Sequence, residues 1–155
     1  MPKQFDLPPV YLVIALIAVF ILSWFGGFVG GFLGAGFWGS IITLTGLGLI
    51  GWSIFLFREY QTPLLPRQTA EALVMDGPYL VSRNPMYLGM VLIALGVGIF
   101  MGPVIAYIPA FVLAVYLDRN FIQGEEDALR EAFASEANAY IDDTARWIGY
   151  GPVKL

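Results

Sequence analysis

Two long runs without any Asp, Glu, Lys or Arg dominate the chain, at residues 7–57 and 84–117. One membrane-spanning helix needs about 20 apolar residues, so the first run predicts two helices, at about 10–27 and 37–57. Pro8 and Pro9 stand where proline suits a helix start. A secretory signal has a shorter apolar core of about 7–15 residues and a small-residue cleavage site, so 10–27 reads as an anchor. Six glycines between 26 and 36 separate the two helices. They form either a turn or, through the four-residue spacing of Gly26, Gly30 and Gly34, a helix face for close packing. Gly46, Gly48 and Gly51 offer a further contact face on the second helix. Gly102-Pro103 divides the run 84–117 into passes at about 85–101 and 103–120, a tight helical hairpin.

The connections differ in character. Residues 58–83 are polar, and Pro63 and Pro66 exclude a regular helix through that part. Residues 69–75 predict a short interfacial helix, ended by Asp76-Gly77-Pro78. Residues 118–155 carry eight acidic and four basic side chains. There Leu129, Phe133, Ala137 and Tyr140 fall at helical spacing and give an apolar face. Glu126 and Arg130 are i,i+4 partners, and residues 146–155 are expected to be irregular. Every Lys and Arg lies in the first six residues, in 58–83 or in the tail. Under the positive-inside rule both termini and the central connection then face the cytoplasm. The expected fold is an all-α integral membrane protein, a single membrane domain over 1–155. It has about four transmembrane helices and a cytoplasmic C-terminal amphipathic helix.

Composition supports this class. The chain is 58% hydrophobic and 13% charged, against roughly 45–50% and 25% in soluble domains, and its mean hydropathy is +0.73. It has no cysteine and no histidine, which removes thiol chemistry and the commonest metal ligand and general base; no metal site is expected. A net charge of −4 disfavours nucleic acid as a partner.

The chemistry gathers in residues 76–89, DGPYLVSRNPMYLG. Gly77-Pro78-Tyr79 alone is a turn. Asn84 followed by Pro85 is a helix cap and a first helical position. Arg83 alone is a topogenic cation, and Tyr87 alone an interfacial aromatic.

Taken together, Gly77-Pro78-Tyr79, Arg83-Asn84-Pro85, Tyr87 and Gly89 resemble the signature of the isoprenylcysteine carboxyl methyltransferase and phospholipid methyltransferase family. The resemblance continues through Glu125-Glu126, Leu129, Phe133, Glu136, Tyr140 and Arg146-Trp147-Ile148. It implies a membrane-embedded enzyme that uses S-adenosylmethionine, with its cofactor region at 76–148. The family often has histidine where Asn84 stands. Its usual glycine, tyrosine and proline are replaced here by Ala134, Ala137 and Gly149.

The resemblance assigns Tyr79, Arg83, Asn84, Pro85, Tyr87, Gly89, Glu125, Glu126 and Tyr140 to the cofactor. Arg83 would pair with the cofactor carboxylate, since a guanidinium fits a carboxylate bidentately. A glutamate would take the ribose hydroxyls or the ammonium. Tyr87 or Tyr140 would meet the sulfonium or adenine, and Gly89 would admit the cofactor against the helix backbone. Glu126 and Arg146 are the expected catalytic pair, as proton acceptor and as anchor for an anionic group. The methyl acceptor is lipidic or amphiphilic, among membrane lipids. A carboxylate needs no base at pH 7, so the missing histidine leans toward a carboxylate acceptor. A phospholipid amine and a small thiol are the alternatives. A non-catalytic accessory membrane protein is the reading outside enzymology, and it predicts that Arg83→Ala and Glu126→Ala leave binding and activity untouched while glycine substitutions disrupt assembly.

Overall fold

The computed structural model describes residues 7–26, 33–62 and 72–149. Among them the chain is helical, without strands. Helix α1 spans Pro8–Phe25, α2 Ala35–Glu59, α3 Pro85–Met101, α4 Ile108–Leu117 and α5 Gln123–Asp143. Prolines begin α1 and α3 at their first turns, where no amide donor is needed. α1 and α2 are long and apolar enough to cross a membrane, as is the continuous helical run Val104–Asp143; α3 is a shorter apolar helix. Only 22% of the most apolar stretch of α1 and 17% of that of α2 is buried within the protein. Their remaining apolar surface suits lipid as solvent, so this is an all-α membrane protein.

The fourth apolar segment does not stop at 120. After a 3-10 turn at Val104–Tyr107 it runs as α4, passes through a π-helical turn at Asp118–Ile122 and becomes α5. The amphipathic tail helix is therefore joined to the hairpin without a loop. Leu129 and Phe133 are half-buried, and Ala137 and Tyr140 buried, which is the expected apolar face.

Close packing involves only some of the expected glycines, Gly46 among them, with Gly39 in addition. Gly26 lies in the turn after α1 and Gly34 precedes α2 in a left-handed conformation; Gly30 lies outside the described residues. In α2 it is Gly39 and Gly46 that meet α3. A Cβ on Gly39 would stand 2.6 Å from the Gly96 carbonyl oxygen, and one on Gly46 2.6 Å from that of Gly89. The two helices run antiparallel, with a glycine pair seven residues apart on each. Gly48 and Gly51 have open space beside them, because they point to the opposite side of α2. Gly96→Val is therefore expected to destabilise the protein by about 1–3 kcal/mol or more, through backbone displacement. Gly48→Ala should be neutral or stabilising, since alanine favours helix. Thermal unfolding in detergent checks both, and equal melting temperatures for the two variants would refute the assigned interface.

Residues 72–75 form no helix, while 69–71 lie outside the described residues. Val74 instead buries its side chain with Leu56 and Tyr79. Gly77, at φ +59, then turns the chain with its α-carbon against the Trp52 ring. A Cβ there would be strained by the backbone and crowded by the indole. The Tyr60 hydroxyl donates to Asp76 at the same corner, and this bond with the acidic neighbours raises the tyrosine pKa above its ordinary value.

α5 is not a straight rod. Ala134 has φ 43 and ψ −111, a break inside the helix. The break redirects the second half so that Tyr140 and Ile141 return to the start of α3. An L-residue in such a region costs about 1–3 kcal/mol, partly offset by the entropy glycine would lose. Ala134→Gly is therefore expected to stabilise the fold by about 1 kcal/mol, read as a raised melting temperature. A lowered one would contradict the strained backbone.

Candidate active site

The site begins where the 3-10 turn Gly77–Leu80 feeds into α3. Asn84 occupies the N-cap position, and its carbonyl accepts from the Leu88 amide at 2.9 Å. Its side chain does not cap the helix. Instead Asn84 Nδ2 donates to the Arg146 carbonyl at 3.1 Å, and the Ser82 hydroxyl donates to the same oxygen at 3.4 Å. The backbone completes the seam: Arg83 N donates to the Ala145 carbonyl and Gly149 N to the Val81 carbonyl, each at 3.0 Å. The irregular segment after α5 is thus laid along residues 81–84 like an added strand, and it delivers Arg146 to the site.

Glu126 is the centre. It is 4% exposed, and two guanidinium groups share its carboxylate. Arg83 Nη2 donates to Oε1 at 2.9 Å; Arg146 Nε donates to Oε1 at 2.9 Å and Nη2 to Oε2 at 2.6 Å. Arg146 Nη1 also reaches Asp118 Oδ1 at 3.3 Å. Hydrogen bonding to Glu126, then the charges of Glu126 and Asp118, raise the Arg146 pKa above its ordinary value against the desolvation of the site. Arg83 Nη1 donates to the Ile141 carbonyl, one of the last carbonyls of α5, which have no partner within the helix. A cation there also meets the negative end of the helix dipole. Arg83 Nε is buried and has no partner.

The expected Glu126–Arg130 pair does not form, because Glu126 points inward to two arginines. Arg130 pairs with Asp127 at 3.1 Å on the exposed side, where such a pair contributes little. Glu125, one residue earlier and about 100° around the helix, accepts from the Tyr87 hydroxyl at 2.6 Å. Tyr87 lies 6.3 Å from the Phe121 ring between centroids.

The remaining expected residues make packing and hydrogen-bond contacts within the scaffold. Pro85 is fully buried at the start of α3. Gly89 faces the Gly46 carbonyl and Ile50; the space its missing side chain leaves is filled by α2. The Tyr140 hydroxyl donates to the Tyr79 carbonyl at 2.8 Å, tying α5 to the turn. Tyr79 packs on Phe57, and burial raises its hydroxyl pKa well above the ordinary value. Both tyrosines are committed to packing rather than turned toward an open site.

Asp118 and Ser82 are site residues the sequence reading missed. Asp118 had a signal, as the first charge after the run 84–117. Eight residues of α-helix would leave it about 80° from Glu126. The π turn between them absorbs one residue, so both carboxylates face Arg146. Among the described residues no group of three or more His, Cys, Asp or Glu could hold a metal ion.

The described residues form an all-helical membrane protein with a buried ion cluster at one end of its apolar bundle, held by a glycine-packed helix pair. The family model for phospholipid methyltransferase matches residues 34–136. The chain belongs to the phospholipid methyltransferase family and is a membrane methyltransferase. The match contains the 76–89 stretch, Glu125 and Glu126; Tyr140 and Arg146 lie beyond its end. No curated protein and no solved structure matches the chain.

Proposed function

We propose that the protein transfers a methyl group from S-adenosylmethionine to the amine of a membrane phospholipid. The observation that carries this reading is the cluster Arg83–Glu126–Arg146 with the Tyr87–Glu125 pair beside it. Arg83 Nε fits the cofactor: it is a buried guanidinium donor without a partner, suited to a carboxylate. Arg83 and Asn84 would bind the amino-acid end, and Tyr87 and Phe121 would offer aromatic surface to a cation. Bound there, the cofactor supplies a methyl group activated on a sulfonium.

The acceptor reading follows from charge. Asp118 and Glu126 pair with Arg83 and Arg146, and Glu125 adds a third carboxylate next to Glu126, so these five side chains together carry an excess of one negative charge. That suits an ammonium better than a carboxylate. Arg146, which a carboxylate acceptor would need, is already held by Glu126 and Asp118. An ammonium must lose a proton before it can attack carbon. Glu125 is the proposed proton acceptor, with Tyr87 orienting it. Glu126, both of whose oxygens are engaged, is proposed as the positioning residue for the two arginines.

Labelled methyl transfer tests this directly. Purified protein in nanodiscs should move label from S-adenosylmethionine to phosphatidylethanolamine. Label appearing instead on a prenylated cysteine carboxylate would return the acceptor to the carboxylate class, and absence of cofactor binding in folded protein would favour an accessory role.

The distribution of Lys and Arg motivates a cytoplasmic orientation for this end of the bundle. Because the chain has no cysteine, Glu136→Cys can be probed alone. It should react with an impermeant maleimide only after cells are opened; labelling of intact cells would reverse the orientation.

A further inference from the structure

The outward side of the fourth apolar segment carries a groove of about 490 Å³ lined by Phe111, Val112, Val115, Tyr116, Arg119 and Asn120. These positions recur in pairs every four residues and form one stripe along α4 into the π turn. Phe111, Val112 and Val115 are exposed, and they belong to a helical run apolar enough to cross a membrane. There the surrounding solvent is acyl chain. At the other end of the groove stands Arg119, which makes no ion pair among the described residues. The π turn that aims Asp118 inward at Arg146 leaves the next residue, Arg119, exposed on the groove side.

The groove's lining is in packing contact with the site through aromatic rings. Tyr116 lines it and packs on Tyr11 with centroids 4.3 Å apart. Both rings contact Phe121, at 6.3 and 5.8 Å, and Phe121 contacts Tyr87. A row of packed aromatic rings thus links the groove's lining to buried Tyr87 of the Tyr87–Glu125 pair, with a cation where the groove turns polar.

We infer that this groove is the acceptor's lateral entry site, seating one acyl chain of a phosphoglyceride along Phe111, Val112 and Val115 while Arg119 binds the headgroup phosphate. Arginine suits a phosphate because its planar fork donates two parallel hydrogen bonds. A phosphate held at Arg119 would place the headgroup beside the π turn that also carries Asp118. This inference rests on the phospholipid reading above, but the groove's occupancy is measurable without any methyl transfer.

The test uses a diacyl phosphatidylethanolamine with a photoactivatable diazirine in one acyl chain, and the matching diacylglycerol, with the full-length protein in nanodiscs and no cofactor. Adducts are expected on residues 111–116 with the phosphatidylethanolamine probe. They should fall roughly tenfold for Arg119→Ala, the factor carried by loss of one charge-assisted contact, and fall similarly for the diacylglycerol. Arg119→Lys should retain much of the labelling, and Val115→Trp, which fills the groove, should abolish it. In a second measurement the KM for phosphatidylethanolamine should rise in Arg119→Ala while cofactor affinity stays unchanged. Equal labelling by the two probes, equal labelling of Arg119→Ala and wild type, or replacement of lipid adducts by crosslinks between two copies would overturn the site. Labelling as expected with an unchanged KM would overturn its role in acceptor entry. Labelling as expected in a protein that transfers no methyl group would leave the lipid site standing and refute the methyltransferase reading alone.

Discussion

Glu126→Ala is expected to lower stability by about 3–5 kcal/mol and to abolish methyl transfer. Its carboxylate is the single anion shared by Arg83 and Arg146 at 2.6–2.9 Å. Removing it leaves two cations facing each other, one of them almost enclosed, and an uncompensated buried charge costs that much. Arg146 keeps Asp118, so Arg83 would bear most of the penalty. The same principle predicts the repair. A triple variant, Arg83→Met with Glu126→Leu and Arg146→Met, should recover much of the stability, because well-packed apolar groups replace a buried ion cluster at little loss. It should recover no activity. Chemical unfolding in detergent, run beside the labelled methyl-transfer assay, separates the two effects. A Glu126→Ala protein within about 1 kcal/mol of wild type would show that the cluster does not hold the site together.

Arg83→Ala should weaken cofactor binding and reduce methyl transfer by about two to three orders of magnitude. Truncating one partner of a buried, hydrogen-bonded charge pair costs about 2–5 kcal/mol. Arg83 makes three long-range contacts: its backbone amide meets the segment after α5, one guanidinium nitrogen meets Glu126 near the start of α5 and another meets the end of α5. Arg83→Lys keeps the charge but cannot reproduce that fork, so it should rescue stability in part and cofactor affinity hardly at all. The informative comparison is calorimetric titration of S-adenosylmethionine onto both variants. If Arg83→Lys bound the cofactor as wild type does, the geometric role assigned to the guanidinium would fail and charge alone would suffice.

The two predictions bear on how site roles are divided. By residue type alone, Glu126 is a plausible base and Gly89 a plausible space for a ligand. The structure places two guanidiniums on the first and the Gly46 carbonyl beside the second. Asn84 is similar. As a residue before proline at a helix start it reads as a cap, yet its amide holds the Arg146 carbonyl 62 positions away in the chain. Each of these residues has a local explanation in sequence and a different, long-range partner in space.

What the sequence determined by itself is the class of protein and the neighbourhood of its chemistry. Charge-free runs, glycine and proline breaks and the absence of histidine and cysteine are properties of chain segments, and the bilayer requirement acts on segments one at a time. Residues 76–89 and the Glu125-Glu126 pair are likewise legible because their order along the chain is a pattern. Tertiary structure alone decided which glycines pack: Gly39 and Gly46 against Gly96 and Gly89, with Gly48 and Gly51 left outside. It alone brought Asp118 into register with Glu126 through a π turn, and Arg119 out onto the groove. These outcomes depend on helix phase. A one-residue change in winding rotates a side chain by about 100°, and no local composition records that rotation.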